Sequence, residues 1–134
     1  MILIDSSVWI DFFNGKPTAE TDYLDAILGH AEIVVGDLIL TEVLQGFRDD
    51  GDYSSACSAF EAFKIIAISD AIIAFKAASN YRLLRKRGIT VRRTIDTLIA
   101  TRCIEDGIEL LFSDRDFDPF VEHFGLRNAL VASS

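Results

Sequence analysis

Five carboxylates in this chain are placed where they could converge at one end of a fold. Asp5 follows the apolar triplet Ile2-Leu3-Ile4, and Glu42 lies within the apolar run from Leu38 to Phe47. Asp96 sits inside Thr94-Ile95-Asp96-Thr97-Leu98-Ile99-Ala100-Thr101, and Asp114 and Asp116 follow Leu110-Leu111-Phe112-Ser113. At about 100° per helical residue, Asp96 falls between Ile99 and Ala100 and close to Cys103, on an apolar face where an unpaired ionised carboxylate is costly. Something must neutralise it. Three or four carboxylates converging without His or Cys suit hard, oxygen-ligated cations, which means Mg²⁺ or Mn²⁺ and not zinc. Magnesium keeps waters in its shell, and such waters are the reagents of phosphodiester hydrolysis. Each acid also has an ordinary reading. Asp5 can be a helix cap, Asp96 a first-turn acid favoured by the helix dipole, Asp114 and Asp116 the makers of an Asx turn, and Glu42 a solvated helix residue.

The elements that must position these acids follow from the pattern of apolar residues. Ile2 to Ile4 reads as a short buried strand, and Asp5-Ser6-Ser7 as the turn into a helix over Val8 to Phe13. Asn14-Gly15-Lys16-Pro17 is a loop, Thr18 to His30 a helix, and Ile33 to Val35 a second strand. A helix over Leu38 to Phe47 is followed by the polar run Arg48 to Asp52, a helix from Ser54 to Phe63 and an edge strand over Ile65 to Ile68. Ser69-Asp70 caps the longest helix, which Gly88 stops near Arg87. After the helix from Thr94 and a turn at Gly107 come a strand over Glu109 to Phe112, a short helix over Phe117 to Phe124 and a last strand near Leu126 to Val131. Alternating strands and helices predict an α/β fold with a mainly parallel sheet of four to five short strands flanked by helices. Ligand sites in such sheets lie beyond the strands' C-terminal ends, where Asp5 and Asp114 both fall.

Composition narrows the classes. A chain of 134 residues, half of them apolar, fits one domain with a substantial core. No apolar run approaches the roughly 18 residues of a membrane span, and the N-terminus lacks the marks of a signal peptide; a cytoplasmic protein is expected. Cys57 and Cys103 lack metal-ligand spacing and read as buried thiols, and His30 and His123 stand alone. The net charge of -8 argues against a generic nucleic-acid coat protein. Its distribution is uneven: six of the 13 Lys and Arg residues fall within residues 82–93, a stretch without Asp or Glu.

The segments I-L-I-D-S-S-V-W-I-D-F-F-N-G, T-E-V-L-Q-G, I-D-T-L-I-A-T and L-F-S-D-R-D-F occur in this order. With these segments the chain resembles the PIN-domain ribonucleases, and more narrowly the VapC-type toxins of bacterial toxin–antitoxin pairs, over essentially its whole length. The resemblance implies a single PIN domain over residues 1–134 with a three-layer fold, and metal-assisted hydrolysis of RNA, tRNA or rRNA, leaving 5′-phosphate and 3′-hydroxyl ends. It makes Asp5, Glu42, Asp96 and Asp114 the acidic quartet, with Asp116 an auxiliary ligand or supporting group and Ser7 the small hydroxyl beside the first acid. Ile95 is a departure, since many relatives carry Asn before the third acid.

The resemblance also implies a cognate VapB-type antitoxin whose C-terminal segment lies in a groove and whose arginine pairs with the carboxylates. Core packing is the default reading of Trp9, Phe12, Phe13 and Phe47, with lining of that groove as the alternative. A homodimer, and a heterotetramer or larger assembly with antitoxin, are implied as well. An acidic site repels a polyanion, so positive charge is needed nearby. Rival readings are a PIN nuclease of RNA maturation, a non-catalytic scaffold binding RNA or protein, and a metal-dependent phosphatase acting on small molecules.

Overall fold

The computed structural model describes residues 1–132, and Ser133 and Ser134 of the expected domain lie outside the described residues. The chain forms β1 (Ile2–Ile4), α1 (Ser6–Phe13), α2 (Ala19–Ile27), β2 (Ile33–Gly36), α3 (Asp37–Gln45), α4 (Asp50–Phe60) and β3 (Lys64–Ile66). It continues through α5 (Ala71–Lys86), α6 (Thr94–Asp106), β4 (Glu109–Leu111), one 3-10 turn (Arg115–Phe117), α7 (Asp118–Phe124) and α8 (Ala129–Ala132). The strands make a four-stranded sheet in the order β3-β2-β1-β4, every pair of it parallel. This is the α/β architecture expected, with helices flanking the sheet.

Burial explains the sheet's composition. Strands covered on both faces need apolar side chains on both, and Leu3, Ile4, Val34, Val35, Leu110 and Leu111 are completely buried. The edge strand β3 is less covered, with Lys64 and Ile65 exposed. Between β2 and α3 the chain turns without a loop at Gly36. A Cβ there would lie 2.5 Å from Cδ1 of Ile68, so the position requires glycine's missing side chain. The Asp37 carboxylate then accepts from the backbone N–H of Leu38 at 2.8 Å and of Ile68 at 2.9 Å.

Two expectations are corrected. The helix expected from Ser54 begins at Asp50, because Asp49 caps it by accepting from the Asp52 N–H at 2.9 Å. The polar run Arg48 to Asp52 therefore supplies a helix's first turn, where the negative charge of Asp50 and Asp52 suits the dipole. The strand expected over Leu126 to Val131 is a single parallel bridge between Leu110 and Asn128, followed by α8. The Asn128 side chain accepts the Leu130 N–H at 3.1 Å, at the start of that helix.

The parallel sheet fixes where the acids go. Ile4 pairs with Leu111, and the Asp5 N–H donates to the Leu111 carbonyl at 2.9 Å. Thus β1 and β4 end level with one another. Gly107, in the left-handed region at φ 66°, reverses the chain between α6 and β4, so the N-terminus of α6 lies at the edge where β4 ends.

A candidate metal centre at the carboxyl edge of the sheet

Asp96 occupies the first turn of α6, one residue beyond the apolar side chain of Ile95, and is only 2% exposed. Ile99, Ala100 and Cys103 of the same helix are buried, as the angular argument requires. Asp114 follows β4 through Phe112 and Ser113 and opens the 3-10 turn, its Oδ1 accepting the Asp116 N–H at 2.9 Å. The Asx-turn reading of Asp114 therefore holds alongside any other role. One carboxylate oxygen from each of Asp96, Asp114 and Asp116 lies within 4.8 Å of the others. Oδ2 of Asp96 is buried without a hydrogen-bond partner among the described residues.

Asp5 and Glu42 stand beside this group and make other contacts. Asp5 is 4% exposed and sits at the N-cap of α1, yet its side chain makes no capping bond; instead it accepts the Ser7 hydroxyl at 2.7 Å. Ser7 also lies 3.3 Å from the Ser113 hydroxyl, linking the exits of β1 and β4. Glu42 accepts the Ser6 hydroxyl on Oε1 at 3.1 Å and a terminal nitrogen of Arg93 on Oε2. Arg92 donates to Oδ2 of Asp116 from Nε at 3.1 Å and from a terminal nitrogen at 2.9 Å.

The electrostatics reflect this crowding. Burial raises the Asp96 carboxyl to about 6; Arg93 pulls it down, and Asp5, Asp114 and Asp116 push it up. Burial also raises Asp5, which the Ser7 hydroxyl partly offsets and the Glu42 charge reinforces. Burial opposes the charge on Arg93, but the carboxylates of Asp96, Glu42 and Asp5 outweigh it and hold the guanidinium above its usual range. An all-oxygen donor set, mutual repulsion and an orphaned buried oxygen together fit a hard divalent cation.

Ser6 had no assigned role in the sequence reading. It is buried and orients Glu42 across 36 residues of sequence; its place in the D-S-S turn beside Asp5 was the only signal available. The basic stretch 82–93 also divides. Arg85 lies over the Tyr81 ring and Arg87 pairs with His123 at 2.8 Å, whereas Arg92 and Arg93 meet the acids.

Trp9 follows the core-packing reading, for it is 2% exposed and its ring packs against Phe12, Phe13, Phe60 and Phe63. It belongs to the core. Phe13 and Phe47 do line an open cleft of about 100 Å³ between α1 and α3, with Ile10 and Val43. Cys103 is buried and Cys57 half-buried, both as free thiols. No helix among the described residues is long and apolar enough to cross a membrane.

Comparison with known proteins places this geometry. Residues 2–121 match the family model described as the PIN domain. The chain is 32% identical over 120 residues to VapC ribonuclease Mb1587 of Mycobacterium bovis, covering 88% of this chain and 90% of that protein. The same figures hold for Ribonuclease VapC11 of Mycobacterium tuberculosis. Among solved structures, VapBC2 from Rickettsia felis bound to a promoter DNA fragment superposes with a TM-score of 0.71 at 20% identity, covering 89% of this chain and 92% of that one. FitAcB from Neisseria gonorrhoeae does so with a TM-score of 0.68 at 16% identity, covering 87% and 89%.

Proposed function

The chain belongs to the PIN domain family and, within it, to the VapC ribonucleases, and from that premise we propose that it is a metal-dependent endoribonuclease acting as the toxin of a toxin–antitoxin pair. The observation that carries the metal dependence is Asp96: a carboxylate 2% exposed, with one oxygen unpartnered, facing Asp114 and Asp116. Above about pH 6 the Asp96 carboxyl is ionised, and a buried ionised carboxylate is costly unless positive charge such as a cation compensates it.

In this reading Asp96, Asp114 and Asp116 hold Mg²⁺ or Mn²⁺, and Asp5 and Glu42 complete the acidic set from β1 and α3. When bound, the metal supplies Lewis-acid activation of water and neutralises charge on the phosphodiester. The chain's own residues do the positioning. Ser7 fixes the rotamer of Asp5 by donating to Oδ2, and Ser6 fixes Glu42 in the same way. Arg92 and Arg93 supply the positive charge that RNA phosphates require next to an acidic centre. The substrate class we infer is tRNA or rRNA, and the chain acts as one PIN domain in the cytoplasm.

The partner we infer is a VapB-type antitoxin, with the α1–α3 cleft lined by Phe13 and Phe47 as its seat. A homodimer is part of the same reading, and the exposed side chains of Ile72 and Phe75 on α5 are the surface such association would cover.

Asp5→Asn and Asp96→Asn test the reading, since each removes a charge at nearly constant volume. Both purified variants should remain folded and lose Mg²⁺-dependent cleavage of RNA; undiminished cleavage by both would sink the proposal. Growth arrest on expression, relieved by co-expression of the neighbouring small gene product, is the expected outcome for a toxin. Normal growth would favour a nuclease of RNA maturation.

A further inference from the structure

Arg92 and Arg93 precede α6 at its N-terminal end, where the helix dipole disfavours cations, so their placement needs another cause. The acids supply one. Arg92 rests on Asp116 through two donors to a single oxygen. Arg93 rests on Glu42, whose other oxygen already accepts Ser6. Glu42 thus has both oxygens engaged, and Asp116 has one engaged, on the rim of the group that offers oxygens to a cation.

Two features separate these contacts from a fixed structural ion pair. The side chains of Arg92 and Arg93 are 76% and 47% exposed, and pairs so open to water are weak. The centre they surround is also left incomplete, because Oδ2 of Asp96 is buried without a partner among the described residues and neither guanidinium bonds to it. The arginines neutralise the rim and leave the middle open.

Resting on the reading above, we propose that Arg92 and Arg93 are placeholders for metal charge. They sit on Asp116 and Glu42 while no divalent ion is bound and release as the ion enters, becoming a phosphate grip only in the loaded protein. Competition for the same carboxylates couples the two: ion binding opposes the arginine contacts, and losing those contacts strengthens ion binding by at most the free energy that they contribute. A freed guanidinium presents a planar donor fork suited to phosphate oxygens. Metal and RNA then bind cooperatively, and the metal-free protein holds RNA poorly because its nearest cations are already engaged.

Mn²⁺ binding, read from the electron paramagnetic resonance signal of the free ion, tests this in the wild type, in R92A/R93A and in R85A/R87A. The last removes the same charge away from the acids. R92A/R93A should bind Mn²⁺ roughly threefold to tenfold more tightly, the weight of one or two exposed ion pairs, and R85A/R87A should match the wild type. In the intact protein, the Arg92 Nε–H resonance, assigned with Arg92→Lys, should move towards the position of a free guanidinium during a Mg²⁺ titration. Equal Mn²⁺ affinity in wild type and R92A/R93A, an equal gain in R85A/R87A, or an Arg92 signal unmoved at saturation overturns the exchange and leaves the metal reading standing. No saturable Mn²⁺ binding in any of the three proteins overturns both.

Discussion

Asp96 makes the metal-free protein sensitive to acid in an unusual direction. Its carboxyl lies at about 6 in the folded chain against the ordinary aspartate value of 3.8, so between these values the native state holds a proton that the unfolded chain releases. Stability from this group is fully present below about pH 4 and is lost as pH rises through about 6, amounting to roughly 3 kcal/mol in all. Urea unfolding at a series of pH values should therefore show the wild type losing stability relative to Asp96→Asn between pH 4 and 7. A constant difference across that range would refute the shift. Asp5 is raised in the same direction, and Asp5→Asn should behave alike. Whether a residue carries this kind of burden was partly legible in the sequence. The angular position of Asp96 between Ile99 and Ala100 required burial, but nothing in the spacing revealed that Ser6 holds Glu42, since that contact joins the first turn of α1 to a helix 36 residues away.

At the scale of elements, the junction of β2 and α3 decides how Glu42 is delivered. Gly36 lets the chain pass directly from strand to helix under Ile68, which is itself fully buried. Gly36→Ala should cost about 1–3 kcal/mol, the usual penalty of overpacking a filled core, measurable as a lowered urea midpoint. Trimming the obstructing side chain with Ile68→Val should recover part of that loss in the double variant. Additive destabilisation would mean that the clash is relieved elsewhere. Helix periodicity located α3, α5 and α6 within a residue or two, because amphipathic faces are local. The start of α4 and the end of the chain were misread, because Asp49 and Asn128 choose cap and turn geometry through single hydrogen bonds that compete with the propensities of their neighbours.

For the whole molecule, a cation bound only by the native state is a source of stability. Mg²⁺ at about 100 times its dissociation constant should add roughly 2.7 kcal/mol, seen as a saturable rise in Tm that Asp96→Asn abolishes. A wild-type Tm indifferent to Mg²⁺ would count against the metal centre. In the proposed function, a chain with a net charge of -8 meets RNA through local positive charge. Arg92→Ala with Arg93→Ala should weaken RNA binding and flatten its dependence on salt, since fewer counterions are released. An unchanged slope would exclude these residues from phosphate contact.

The order of strands and helices, the apolar face that buries Asp96, the acids following β1 and β4, and an acid-free basic segment were determined by the sequence itself. Each depends on local periodicity or on residue type. The tertiary structure decided which charges meet. Asp96, Asp114 and Asp116 are brought together by the level ends of β1 and β4 and the return of α6 to the same edge. Arg92 and Arg93 are set against Asp116 and Glu42 and separated from the rest of their basic run, and Trp9 is drawn into the core. These are long-range outcomes of parallel pairing and helix packing, in which residues far apart in the chain share one small volume and must neutralise or exclude one another there.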